Sequence, residues 1–167
     1  MINRQVRKKR VPSDPKEAYT AALKTAFNIV GYKDNTLFQL REKLTERGYT
    51  EDTVNAVCEY MTEKGYVNDV RMIMRSARSL ALSRLYGKKR IVYELSHKHF
   101  SEEAMDALDF ENEELCDIDF AEVCLRLLKK KGGERDDRTY AALIRYGHSV
   151  ADIKKAYLLL NEENKEE

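Results

Sequence analysis

The side chains of this chain that could do chemistry are mostly basic, and their chemistry is the binding of anions rather than the breaking of bonds. They are concentrated in residues 71–98, called here the basic segment, which contains a single acid, Glu94. Three of them, Arg71, Arg75 and Arg78, are spaced i, i+4 and i+7, so a helix would present them on one face. Such clusters attract phosphate, and phosphate contacts make binding strongly dependent on salt.

The basic segment is therefore the predicted contact surface for a partner or for nucleic acid. Its candidate contact residues are Arg71, Arg75, Arg78, Arg84, Lys88, Lys89 and Arg90. The last three follow Gly87 and open a predicted helix, whose first amides would also favour an anion. Tyr86 and Tyr93 lie beside these cations, where stacking on a base is an alternative to an ordinary surface role. For the segment as a whole, the alternative is a solvated helix face without a partner.

The next stretch of the chain is acidic. Its charged residues are Glu102, Glu103, Asp106, Asp109, Glu111, Glu113, Glu114, Asp117, Asp119 and Glu122. The net charge of +1 therefore conceals a strong segregation of charge, which serves long-range recognition more often than folding. We interpret the acidic stretch as a solvated face and a linker between modules. The alternative is a surface that mimics DNA or repels it.

Catalytic and metal-binding patterns are missing from the sequence. Cys58, Cys116 and Cys124 form no C-x-x-C pair, and with His97, His99 and His148 they match no standard zinc spacing. A Gly-rich phosphate loop and a nucleophile elbow are also absent from the sequence. We therefore expect reduced thiols, no metal, no cofactor and no enzymatic activity.

The basic and acidic stretches are positioned by a turn that recurs three times. The copies are residues 47–52, 98–103 and 146–151, with Thr50, Ser101 and Ser149 as the helix-capping positions. From Thr50 to Ser101 is 51 positions, and from Ser101 to Ser149 is 48. Each turn lies between segments with apolar residues at helical spacing. This period indicates a repeat of small helical units that cannot bury their apolar faces alone.

Composition agrees with a helical repeat. Of 167 residues, 35% are charged, with 2 prolines, 7 glycines and no tryptophan. The predicted fold is all-α, an elongated and curved array of three tandem three-helix modules with nine helices in all. The sequence has no apolar run of the roughly 18 residues that a membrane span needs and no signal-type apolar core near its start. A cytoplasmic location is therefore expected.

The expected domain boundaries follow the turns and the changes of charge. Residues 1–14 are predicted to be a flexible basic arm, 15–66 the first module, 67–114 the second module with the long basic helix, 115–161 the third module, and 162–167 an acidic tail. The arm carries Arg4, Arg7, Lys8, Lys9 and Arg10.

With its turns and helices placed, the sequence resembles the bacterial RecX family of regulators of the RecA recombinase. The motifs that carry the resemblance are Leu40-Arg41-Glu42-Lys43-Leu44, Arg47-Gly48-Tyr49-Thr50-Glu51-Asp52, Lys64-Gly65-Tyr66-Val67-Asn68-Asp69, Gly87-Lys88-Lys89-Arg90-Ile91 with Glu94-Leu95, and Arg145-Tyr146-Gly147-His148-Ser149 with Ile153. The resemblance covers most of residues 16–160. Met72, Ser76 and Asn35 depart from the family pattern, as does His148, which replaces an aromatic residue.

The resemblance implies a protein without chemistry of its own that binds the recombinase. Family members lie in the groove of the RecA nucleoprotein filament and limit its growth, strand exchange or ATP hydrolysis. A monomer that contacts the RecA filament, and the single-stranded DNA within it, is therefore expected. Replacement of Arg71, Arg75 and Arg78 with alanine is expected to weaken inhibition while leaving the helical circular dichroism intact. The alternatives are a helix-turn-helix-like DNA-binding protein and a helical-repeat adaptor for an unrelated protein.

Overall fold

The structure, a computed structural model, describes residues 11–166 and is helical throughout, with no strand in that range. Most of the predicted N-terminal arm, residues 1–10, lies outside the described residues. The described helices are α1 (Pro15–Tyr32), α2 (Leu37–Glu46), α3 (Glu51–Glu63), α4 (Asp69–Arg84), α5 (Lys88–Ser96), α6 (Glu102–Asp106), α7 (Phe120–Lys130), α8 (Asp137–Arg145) and α9 (Val150–Glu166). The predicted all-α class and the count of nine helices are confirmed for the described residues.

The helices begin where short polar side chains can satisfy their first amides. The Thr36 hydroxyl accepts the N–H of Gln39 at 3.1 Å, and the Gln39 side chain accepts the N–H of Thr36 at 3.3 Å, so the two residues form a capping box at the start of α2. At α9 the Ser149 hydroxyl accepts the N–H of Asp152 at 3.1 Å, and the Asp152 carboxylate accepts the N–H of Ser149 at the same distance. Each such cap contributes about 1 kcal/mol.

The helix that follows the second recurring turn is short. Helix α6 has only five residues; Ala104 is buried in it, whereas Leu108 lies beyond the helix and is half-buried. His99 in the preceding turn has a φ of 56°, the left-handed conformation that Gly48 and Gly147 adopt in the other two turns with a φ of 90°. Histidine tolerates this conformation less well than glycine does, so the second turn is the least regular of the three.

The chain divides into two compact units. The first comprises the described part of Met1–Asp69 together with His99–Ser101, and the second comprises Val70–Lys98 with the described part of Glu102–Glu167. The division into two units does not test the predicted boundaries of the three modules, which stay a prediction.

The first unit has one apolar core, supplied by α1, α2 and α3. Its buried residues are Ala22, Ala26, Leu40, Leu44, Val54, Val57, Cys58, Met61 and Val67. All of them except Val67 lie within α1, α2 or α3 at helical spacing. Tyr49 packs against this core, and its hydroxyl lies 3.1 Å from the hydroxyl of Thr25. The ring of Tyr49 is therefore packed, and its polar end meets a hydroxyl group of α1.

Asp69 ties three segments of the first unit together. Its carboxylate accepts the N–H of Leu37 at the start of α2, at 2.9 Å, and also the backbone N–H of Ser101. Burial raises the pKa of this carboxyl, and the two backbone hydrogen bonds oppose that rise. The aspartate at the predicted module boundary therefore joins residues that are distant in the sequence.

The second unit is built around α7, which is buried along most of its length. Val123, Cys124, Leu125, Leu127 and Leu128 are all inaccessible or nearly so. Further buried residues come from the other helices of the unit: Ile73, Ala77, Ala81, Ile91, Leu95, Leu143, Ile153, Ala156 and Tyr157.

Across residues 11–166, no helix combines the length and the apolar character needed to cross a membrane.

Candidate functional site

Helix α4 presents the predicted arginine face. Arg71, Arg75 and Arg78 are all exposed, while Ile73 and Ala77 of the same helix are fully buried. The amphipathic spacing read from the sequence therefore holds, because the apolar stripe fixes which side of α4 faces the core. Arg71 and Arg75 also take part in contacts of their own.

Arg78 has a structural role that sequence reasoning missed. Its Nη1 donates to the carbonyl oxygen of Cys116 at 2.9 Å, and the Cys116 thiol lies 3.7 Å from the carbonyl oxygen of Met74. These two contacts hold the acidic stretch against α4. Alanine at Arg78 would leave the Cys116 carbonyl without this donor, so the predicted triple alanine variant would mix a structural loss with a loss of charge.

The acidic stretch is anchored by apolar residues between its carboxylates. Phe110, Cys116 and Ile118 are buried, and the Phe110 ring packs edge-on against Phe120 at 5.3 Å between centroids. The ammonium of Lys88 lies 5.1 Å from the centre of the Phe110 ring. The stretch is therefore more than a solvated linker, and Lys88 interacts with it.

At the start of α5 the backbone around Gly87 packs directly against the backbone of the α8–α9 turn, a contact called here the backbone crossing. Gly87 donates its N–H to the carbonyl oxygen of Tyr146 at 2.8 Å, and Lys89 donates its N–H to that of Gly147 at 3.2 Å. The expectation that the first amides here favour an anion is wrong for these two, because carbonyl oxygens already occupy them. Gly87 has an ordinary φ of −79°, so it is needed for the close approach of Gly147 and not for its conformation.

Beside this crossing, cations and aromatic rings form a row of successive contacts, called here the cation–aromatic ladder: Lys131, Tyr146, Tyr86, Arg90, Tyr93 and His97. Successive members are separated by 5.8, 5.7, 5.6, 5.2 and 4.5 Å, measured between ring centroids or from the charged group to the ring centroid. Arg90 also pairs with Glu94 at 2.6 Å. The ladder joins the α4–α5 loop and α5 to the turns that end α7 and α8.

His148, where the sequence departs from the family pattern, is buried in the α8–α9 turn. Its Nε2 donates to the carbonyl oxygen of Leu85, 3.1 Å away, and Leu85 itself has a φ of 57°. Burial lowers the pKa of His148, while the bond to Leu85 and the charge of Asp152 act in the opposite direction. A neutral imidazole therefore holds the α4–α5 loop against the α8–α9 turn.

The lowered pKa predicts that the second unit loses stability in mild acid. Below the unfolded-state pKa of about 6.5 the unfolded chain takes up a proton that folded His148 resists, so the free energy of unfolding falls. The slope is at most about 1.4 kcal/mol per pH unit, and it flattens once the pH passes the folded pKa. Urea unfolding between pH 7.5 and 5 measures this effect. His148→Gln should remove this component of the pH dependence, and an equal slope in that variant would contradict the assignment.

The cysteines and histidines form no metal site in the described chain. Among residues 11–166, no three His, Cys, Asp or Glu side chains come together in a way that could hold a metal ion. Cys58, Cys116 and Cys124 are buried and free, and burial raises the pKa of Cys124 to about 12. Such thiols are poor nucleophiles because they stay protonated.

Short helices joined by recurring turns place the fold among all-α proteins built from small helical units. Comparison with known proteins narrows that class. Residues 22–61, which span most of α1, α2 and α3, match the family model described as RecX, first three-helix domain. No curated protein matches the sequence.

Two solved structures share the fold. The crystal structure of RecX from Lactobacillus salivarius matches with a TM-score of 0.68 and 18% identity, over 86% of this chain and 96% of that one. A crystal structure of regulatory protein RecX matches with a TM-score of 0.63 and 19% identity, over 84% of this chain and 73% of that one. The predicted RecX-family recognition is confirmed: the chain carries the family's first three-helix domain and has the fold of RecX proteins.

Proposed function

We propose that this chain is a regulator of the RecA recombinase. Membership of the RecX family implies a RecA-regulating protein, and the match of residues 22–61 within a shared fold is the observation that carries the proposal. The chain binds the recombinase and its nucleoprotein filament, and it inhibits or modulates ATP hydrolysis, filament growth and strand exchange. Its biological role is in recombination and DNA repair.

The proposed mechanism is binding without chemistry, since the RecX family is regulatory and non-enzymatic. The chain acts as a cytoplasmic monomer without a cofactor, and it contacts both the recombinase and the single-stranded DNA within the filament. Helical units of this kind suit the role because packed helices keep a row of surface charges in a fixed register.

The contact surface in this proposal is the basic segment. Arg71, Arg75, Arg84 and Lys89 are its most direct members, because all four are exposed in the second unit. Arg78, Lys88 and Arg90 are assigned to the same surface, and each of them also has an intramolecular contact, as do Arg71 and Arg75. The proposed contact surface therefore consists of cations, several of which also make contacts within the second unit.

The test is ATP hydrolysis by a RecA recombinase on single-stranded DNA, titrated with this protein at two salt concentrations. We expect inhibition that depends on dose and weakens at the higher salt, because released counterions favour dissociation of phosphate contacts. Unchanged hydrolysis at every dose would contradict the proposal and favour an adaptor with another partner. Tight binding to one defined duplex without any effect on the recombinase would favour the helix-turn-helix alternative.

A further inference from the structure

The cation–aromatic ladder has more exposed surface than packing alone requires. Tyr93 keeps 55% of its surface exposed although Arg90 and His97 flank its ring. Its ring plane and that of His97 are tilted by 48° instead of stacked, with 4.5 Å between the centroids. Arg90 likewise keeps 41% of its side chain exposed after pairing with Glu94.

The surroundings of Tyr93 are cationic. Lys89 lies one helical turn before it on α5 and is exposed, and the guanidinium of Arg90 lies over its ring. At the other end of the ladder the ammonium of Lys131, also exposed, lies over Tyr146. Glu94 is the single acid of the segment that carries Tyr86, Arg90, Tyr93 and His97. The ladder thus combines positive charge with aromatic rings, and the ring-bearing Tyr93 is more than half exposed.

We propose that the cation–aromatic ladder binds single-stranded nucleic acid. Tyr93 and His97 provide the stacking surface for bases, and Arg90, Lys89 and Lys131 attract the phosphates. Proteins that bind single strands without sequence preference place aromatic rings beside a row of cations, because every base has a face that can stack on a ring. A duplex keeps its base faces inside the helix and can use only the cations.

An acidic peptide is the competing ligand for such a surface. It would form ion pairs with Arg90, Lys89 and Lys131, but it would gain little from the ring of Tyr93. The exposed ring therefore favours nucleic acid, and removal of the ring without the charges separates the two ligands. The proposal concerns the chain's own affinity, measured without recombinase, so it can fail while the proposed regulation of RecA stands, and the reverse also holds.

The experiment measures binding of a fluorescently labelled oligodeoxythymidylate to the full chain by anisotropy. Tyr93→Ala is expected to weaken binding roughly tenfold, in line with the loss of one stacked base. Tyr93→Phe keeps the ring and should bind as the wild type does. Tyr32→Ala is the matched control, since Tyr32 is 92% exposed on α1 in the first unit and lies outside the ladder. Circular dichroism verifies that each variant is folded.

The intrinsic fluorescence of the protein provides a second readout. The sequence has no tryptophan, so this fluorescence arises from its 10 tyrosines. Addition of the oligonucleotide should quench this emission in the wild type and quench it less in Tyr93→Ala. No binding by the wild type, or equal affinities of folded Tyr93→Ala and Tyr93→Phe, would overturn the proposal. Binding of polyglutamate that matches the oligonucleotide in affinity would also overturn it, in favour of an acidic peptide.

Discussion

Replacement of Gly87 with alanine is expected to lower the free energy of unfolding of the second unit by roughly 3 kcal/mol, the upper part of the range for overpacked sites. The added Cβ would approach the carbonyl group of Gly147 and the amide nitrogen of His148 more closely than real Cβ atoms approach any heavy atom. These neighbours are backbone atoms, which cannot turn away as the end of a flexible side chain can. The α4–α5 loop would have to move off the α8–α9 turn.

The movement would also break the contacts that close this crossing. The bonds from Gly87 to Tyr146 and from Lys89 to Gly147 depend on the same approach, and so does the bond from His148 to Leu85. Because the ladder passes through Tyr86 and Tyr146, the variant should lose the ladder's contact between these rings as well. Urea unfolding, followed by circular dichroism, measures the effect.

Gly31→Ala is the matched control for Gly87→Ala. No heavy atom lies within 4 Å of a Cβ added at Gly31, which is inside α1. Alanine is the better helix former, so this variant should gain about 0.5 kcal/mol. If Gly87→Ala were as stable as the wild type, the close backbone crossing at Gly87 would be refuted.

Reversal of charge on the basic segment is expected to abolish most of the inhibition of RecA. In the triple variant Arg75→Glu, Arg84→Glu and Lys89→Glu, three exposed cations become anions, so attraction to phosphate turns into repulsion. We expect the concentration for half-inhibition of ATP hydrolysis to rise at least about tenfold, and the salt dependence to flatten. Arg78 is left intact because its bond to Cys116 would confound the result.

The control for charge reversal is the triple variant Arg138→Glu, Lys154→Glu and Lys155→Glu. These residues are exposed on α8 and α9 of the same unit, and the change of net charge is identical. Inhibition should change little, since a local surface and not the total charge is responsible. Equal loss of inhibition in both variants would show that the basic segment has no special role.

The parts of the structure that sequence could predict are the local ones. The capping side chains of Thr50 and Ser149 bond to residues three positions further on, and they are found as predicted. The apolar stripes of α2 and α3 follow the same short-range spacing. The exposed side of α4 was predictable for the same reason. Helix count and type followed from these short-range patterns together with the recurring turn.

The parts that sequence could not predict are contacts between distant segments. Arg78 and Cys116 are 38 residues apart, and Leu85 and His148 are 63 apart. Nothing in the spacing of either pair signals the contact, because helix packing and not periodicity brings these residues together. The role of Gly87 was missed for the same reason, since its function depends on where Gly147 lies. Only a structure, or covariation between the paired positions, would have revealed them.

The most direct test of the proposed regulation of RecA is co-sedimentation of the chain with preformed RecA filaments on single-stranded DNA. We predict that the chain pellets with the filament at low salt and that retention falls as salt increases. The charge-reversal variant Arg75→Glu, Arg84→Glu and Lys89→Glu should stay in the supernatant, while the control variant on α8 and α9 should pellet. A folded wild-type chain that remains in the supernatant at every filament concentration would contradict RecA as the partner.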